Sequence, residues 1–131
     1  MNRAELVEKL NALDLDKQEY WLITGGAMVL YGLREQTHDV DLGCTSALAD
    51  RLEQTYPTTI NRFGTRWIRL DDDVELFENW LHDGVETVDG IPVISLQGLL
   101  EMKKELNREK DLRDIQRIEA YLENSGKHTE K

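Results

Sequence analysis

Apolar residues at Leu6, Val7, Leu10 and Leu13 recur at the spacing of one helical face, which predicts an amphipathic helix over residues 3–13. The run Trp21-Leu22-Ile23-Thr24 stops at Gly25-Gly26 and predicts a short buried strand closed by a glycine turn. A short helix follows over 27–33. Residues 39–44 then alternate carboxylate and apolar (Asp39, Val40, Asp41, Leu42), which is strand periodicity. Thr45 or Ser46 is placed to cap a helix over 47–56, ahead of Pro57. Residues 65–70 and 74–78 are strand candidates, with Asp71-Asp72-Asp73 as the turn between them. Residues 85–88 and 91–94 flank Asp89-Gly90, a strong hairpin signal. Ser95 can cap a helix running to about residue 106. A last helix over 111–122 carries Leu112, Ile115, Ile118 and Leu122 at helical spacing.

This order predicts an α/β (α+β) fold, a mixed sheet flanked by helices. The tight hairpin excludes a wholly parallel sheet. No internal repeat interrupts the chain, so residues 1–123 are expected to form a single domain and 124–131 a polar, flexible tail.

Composition narrows the classes. A chain of 131 residues with 40% hydrophobic content supports one ordinary core. No apolar run approaches the ~18 residues of a membrane span. The first residues are too acidic and amphipathic for a secretory signal, and the lone Cys44 cannot close an internal disulfide. These features lead to the expectation of a cytoplasmic protein without membrane attachment. A net charge of −10 repels phosphate backbones and argues against general nucleic-acid binding, although a local basic cleft is compatible with it.

The candidate chemistry sits on the Asp39-Val40-Asp41 strand. Residues two apart on a strand share a face, so the two carboxylates project together while Val40 and Leu42 turn to the core. Paired carboxylates repel unless a cation lies between them, and oxygen-only ligands suit Mg²⁺ or Mn²⁺. Taken alone, two aspartates at this spacing more often simply face water. Gly25 and Gly26 strengthen the chemical reading, because a glycine pair between strand and helix lets a ligand approach the backbone closely. Twelve residues separate Gly26 from Asp39, enough for one short helix and a loop back to a neighbouring strand. His38 has no Cys or His at zinc-ligand spacing. Cys44 and Trp21 read as core, and Trp67 and Trp80 as core or as walls of a cleft.

The stretches Ile23-Thr24-Gly25-Gly26-Ala27, Tyr31-Gly32-Leu33-Arg34 and Thr37-His38-Asp39-Val40-Asp41-Leu42 together resemble the nucleotidyltransferase superfamily. The chain looks most like its minimal branch, near the nucleotidyltransferase toxins of type IV toxin–antitoxin systems and the antibiotic nucleotidyltransferases. The resemblance spans about residues 22–122. It implies a third carboxylate on an adjacent strand, which Val74-Glu75-Leu76 matches, with Asp73 as the competing position. It also implies closing helices that line the triphosphate, matched by Leu99 to Lys103 and by Arg108, Lys110, Asp111 and Asp114.

On this resemblance Asp39, Asp41 and Glu75 would be catalytic and hold Mg²⁺ or Mn²⁺. Gly25, Gly26, Arg34, Thr37 and Lys103 would bind the nucleoside triphosphate. The implied activity is transfer of a nucleoside monophosphate to a hydroxyl acceptor of unknown identity. The alternative is an inactive binding or antitoxin-like module with the same fold. The charged residues of the C-terminal helices also read as solvated i,i+4 pairs, Glu109–Arg113 and Lys110–Asp114. Two features depart from the pattern. The third carboxylate is Glu where the family often has Asp, and the chain has no room for a separate acceptor domain. A homodimer or a protein partner is therefore expected across the cleft, with Leu6, Leu10 and Leu13 as candidates for either that interface or the core.

Overall fold

Seven strands line up in one mixed sheet in the order β3-β4-β5-β2-β1-β7-β6. The strands are β1 Tyr20–Ile23, β2 Val40–Cys44, β3 Thr58–Ile60, β4 Arg66–Arg69, β5 Val74–Glu78, β6 Val85–Val88 and β7 Ile91–Ile94. The helices are α1 Arg3–Ala12, α2 Thr24–Leu30, α3 Ser46–Leu52, α4 Leu96–Leu106 and α5 Leu112–Thr129, with a 3₁₀ turn at Glu109–Asp111 before α5. The structure, a computed structural model, describes the backbone of residues 1–129 and the side chains of residues 1–124.

β1 pairs antiparallel with β2 and parallel with β7, and β2 pairs parallel with β5. The remaining pairings are antiparallel. α2 joins the antiparallel central neighbours β1 and β2, the parallel pair β2–β5 is connected through α3, β3 and β4, and the hairpins lie toward the edges. Val40, Leu42, Val74, Leu76 and Ile68 are fully buried on one face. The intervening positions of β2, β5 and β4 form the other face and carry the polar groups described below.

Local chemistry explains the boundaries. Asn2 and Glu5 close a reciprocal capping box at the start of α1. Thr45 and Ser95 cap α3 and α4 through their hydroxyls. The carboxylate of Asp71 accepts from the backbone N–H groups of Asp73 and Val74 and fixes the turn into β5. Asp89 and Gly90 both take positive φ, the tight turn expected between β6 and β7.

Several expectations shift. β3 is unpredicted: three residues, mostly exposed, at the sheet edge, held as a strand by pairing with β4 rather than by any apolar pattern. α2 begins at Thr24, three residues early, so the glycine pair lies inside the helix rather than before it. Leu6 and Leu10 are buried within this chain and Leu13 packs against the core, so none of them is a spare interface residue. Leu112 is exposed at the first turn of α5, whereas Ile118 is fully buried. α5 continues to Thr129, beyond the expected end at 122, and the last two residues of the expected tail, 130 and 131, lie outside the described residues. Among the described residues no helix is long and apolar enough to cross a membrane.

Candidate active site

The end of β1, the loop after α2 and the front of β2 meet the C-terminal end of α4 and the start of α5 around a cleft of about 460 Å³. Thr24, Gly25, Arg34, Thr37, Asp39 and Asp41 line one side. Lys103, Leu106, Arg108, Lys110, Asp111 and Asp114 line the other, and Phe77 and Trp80 close one part of the wall.

Gly25 makes the close approach of the loop feasible. A Cβ there would stand 2.7 Å from Arg34 Nη1 and 2.9 Å from Thr37 Oγ1. Arg34 and Thr37 thus pack directly over the Gly25 backbone. Thr37 is buried, and its hydroxyl donates to the Asp39 carbonyl at 3.0 Å. Gly26, the second glycine of the pair, lies outside the cleft wall and is buried against Leu22.

Asp39 is exposed and Asp41 half-buried, and both reach the cleft. Thr24 precedes the glycines at φ +52°, a left-handed conformation that a β-branched residue adopts only under strain. Its hydroxyl donates to Asp41 Oδ2 at 2.8 Å. Burial pushes the Asp41 carboxyl above its usual range; the Thr24 hydrogen bond opposes this, and the negative charges of Glu75 and Asp39 add to the rise.

Glu75 is the register partner of Asp41 across the β2–β5 pair, so the two share a face. It does not line the cleft. Trp67 Nε1 donates to its Oε2 at 2.8 Å, and Arg69 Nη2 contacts its Oε1 at 3.1 Å. Among the described residues, no three His, Cys, Asp or Glu side chains come together as a metal-holding group. The donor set is a carboxylate pair, Asp39 and Asp41. That pair fits a Mg²⁺ or Mn²⁺ ion whose other positions are filled by phosphate oxygens or water, and it does not form an all-protein cage.

The opposite wall is organised around Lys103, which is 2% exposed. Its Nζ lies 3.2 Å from both Asp111 Oδ1 and Asp114 Oδ2. Asp114 also accepts from Arg34 Nη2 at 2.5 Å, and Asp111 from Arg108 Nε at 2.5 Å and Nη2 at 3.1 Å. Burial pushes the Asp111 carboxyl up, but hydrogen bonds and charge from Arg108 and Lys103 outweigh it and hold the group below its usual range. Asp114 is therefore a buried member of the cleft wall rather than a solvated i,i+4 partner of Lys110.

Of the predicted site residues, the structure brings Gly25, Arg34, Thr37, Asp39, Asp41 and Lys103 to one cleft and leaves Gly26 and Glu75 outside its wall. Sequence reasoning missed the role of Thr24. The signal available was only its position before the glycine pair, because strain is invisible in a residue string.

No family model matches the chain, and no curated protein matches it in sequence. Solved structures do. A candidate nucleotidyltransferase from Thermotoga maritima superposes with a TM-score of 0.63 at 17% identity, covering 95% of this chain and 96% of the other. The lincosamide antibiotic adenylyltransferase LnuA, with lincomycin bound, gives a TM-score of 0.56 at 18% identity over 86% of this chain and 95% of its own. The chain has a nucleotidyltransferase-like fold.

Proposed function

We propose that this protein transfers a nucleoside monophosphate from a nucleoside triphosphate to a hydroxyl acceptor. The observation that carries this reading is the composition of the cleft: Asp39 and Asp41 share it with Arg34, Arg108 and Lys110, and its four cations balance its four carboxylates in a chain whose net charge is −10. Four cations gathered in one cleft of so acidic a protein support an anionic ligand there, and the carboxylate pair supports a divalent cation travelling with it. Similarity of fold to an adenylyltransferase agrees with this chemistry.

In the proposed reaction the acceptor oxygen attacks the α-phosphorus. The bond from that phosphorus to the bridging oxygen breaks, pyrophosphate leaves, and the acceptor proton passes to a cleft carboxylate. Asp39 and Asp41 would hold Mg²⁺ or Mn²⁺, which when bound supplies charge neutralisation for the phosphates. Arg34 and Arg108 bind and orient the triphosphate by charge-assisted hydrogen bonds. Thr24 fixes the Asp41 carboxylate, and Gly25 lets Arg34 and Thr37 pack against the backbone at the cleft floor. Phe77 and Trp80 offer an apolar wall and exclude water beside the reacting groups. Glu75, anchored by Trp67 and Arg69, acts on Asp41 through its charge. Catalysis of this kind is positioning and electrostatics, so a short list of residues suffices.

The test is incubation with each α-labelled nucleoside triphosphate, Mg²⁺ or Mn²⁺ and fractionated lysate. Transfer of label with release of pyrophosphate, lost in Asp39→Asn and Asp41→Asn, is expected. Label transfer that survives both substitutions would overturn the assignment of the site.

A further inference from the structure

Lys103 would ordinarily be read as a phosphate ligand, because it is a lysine in the wall of an anion-binding cleft. Its environment points elsewhere. At 2% exposure its ammonium is withdrawn from solvent, and two carboxylates stand 3.2 Å away. Asp111 and Asp114 are themselves buried, and each reaches past Lys103 to an arginine on the cleft rim, Asp111 to Arg108 and Asp114 to Arg34. The two arginines are a third or more exposed and come from opposite sides of the cleft, one from the loop after α2 and one from the loop after α4. Arg34 uses Nη2, and Arg108 uses Nε and Nη2, in these bonds. Nη1 of each has no hydrogen-bond partner among the described residues.

We infer that Lys103 is a positioning residue, the buried counter-ion that fixes Asp111 and Asp114 so that these aim Arg34 and Arg108 at the triphosphate. The physical reason is charge balance. Two buried carboxylates would repel each other and would each draw its arginine inward without a shared cation between them. With Lys103 in place the cluster holds three cations against two carboxylates. Its surplus positive charge then resides on the two exposed guanidinium groups, where a polyphosphate completes it. A planar guanidinium held by one edge presents its other edge in a fixed direction, which suits phosphate oxygens better than a free side chain does.

The orientation of the arginines can be tested without any ligand, while the consequence for triphosphate binding rests on the nucleotidyl-transfer reading. The first arm follows the Arg34 and Arg108 side-chain Nε–H signals by NMR in the ligand-free protein. Lys103→Met should make both arginines mobile. Asp114→Asn, which keeps Lys103 paired with Asp111, should release Arg34 and leave Arg108 ordered, so the arm stands even if Lys103→Met fails to fold. The second arm is titration with inorganic triphosphate in a Lys103→Met and Arg34→Gln double-mutant cycle. Each single variant should weaken binding by about tenfold. The second substitution should add less than about twofold in the background of the first. Arginine signals unchanged in Asp114→Asn, or losses that multiply across the cycle as for two independent ligands, would overturn the positioning role. A wild-type protein that fails to bind triphosphate would sink the nucleotide reading instead, and the arginine spectra would still decide the role of Lys103.

Discussion

Two ionic clusters stand in the molecule, one beside the β4–β5 pair and one in the cleft, and they are built to opposite balances. At the β4–β5 margin, Arg66 is one cation serving three carboxylates: Glu78 at 2.5 Å, Glu53 at 2.7 Å and Asp50 at 2.8 Å. In the cleft, three cations serve two buried carboxylates. The first cluster is closed. Every strong donor of Arg66 is in use, two of its carboxylates are well exposed, Asp50 on α3 and Glu53 at its C-terminal cap, and the surplus charge is negative. It ties α3 to the sheet and has nothing to offer an anion. The second is open, because its surplus is positive and lies on arginines that line the cavity and are a third or more exposed. The number of charges is similar in the two places. The sign of the remainder, and whether it is buried or presented, separates a fastener from a binding wall.

The largest expected effect that sharpens this contrast is at Lys103. Lys103→Met leaves Asp111 and Asp114 buried without their shared cation and should destabilise the protein by about 3–5 kcal/mol, read by urea unfolding. A loss near the ~1 kcal/mol of an ordinary surface pair would mean that the cluster is solvated.

Next in size is Asp41. Its ionised form is disfavoured in the folded protein by burial and by neighbouring carboxylates, so Asp41→Asn should raise the metal-free melting temperature at neutral pH while lowering transfer activity on the order of 10²-fold or more. Added Mg²⁺ should raise the wild-type melting temperature and leave that variant unmoved.

Smaller is the effect at Thr24. Thr24→Gly trades relief of positive-φ strain against loss of the hydrogen bond to Asp41. Stability should therefore change by less than about 1 kcal/mol while activity falls about tenfold. A stability change without loss of activity would assign the strained residue to folding alone.

The closed cluster gives the subtlest signal. Hydrogen bonds from Arg66 hold the Glu78 carboxyl down from 4.5 to about 2. A depressed carboxyl contributes stability that is fully present above its unfolded value and is lost as pH falls through the folded one. Acid melting curves should therefore decline over that interval, and Glu78→Gln should flatten this part of the decline. An unaltered acid profile in Glu78→Gln would remove this pair from the account.

The same contrast explains what a reader of the sequence can find. The Asp39-Val40-Asp41 alternation and the Asp89-Gly90 turn are local signals, set by strand periodicity and backbone sterics, and the structure carries both, whereas the glycine pair falls inside α2 and only Gly25 reaches the cleft. Arg34 and Asp114 are eighty positions apart, and no periodicity couples them. Their pairing exists only because the loop after α2 folds against the start of α5. Glu75 shows the converse. Its sequence pattern and its register beside Asp41 match expectation, yet Trp67 and Arg69 occupy its oxygens, a competition that only the assembled sheet reveals. The strand at Thr58–Ile60 was illegible for a related reason: an edge strand with little to bury leaves no hydrophobic trace.

Trp21 Nε1 donates to the Trp80 carbonyl at 2.9 Å, passing over Gly43, where any Cβ would collide with the indole. Trp80 meets Phe77 edge-on with centroids 5.3 Å apart, and Phe77 stacks on Trp67 at 6.1 Å. Trp21 and Trp67 are thus linked to Trp80, the first directly and the second through Phe77, and of the three only Trp80 lines the cleft. The protein consequently carries its own optical gauge. Indole emission responds to nearby charge and to water, so a molecule settling against Trp80 will change the intrinsic fluorescence with no dye attached. Compounds can be screened against the unlabelled chain by emission intensity alone, and a Trp80→Phe control separates quenching at the cleft from inner-filter loss.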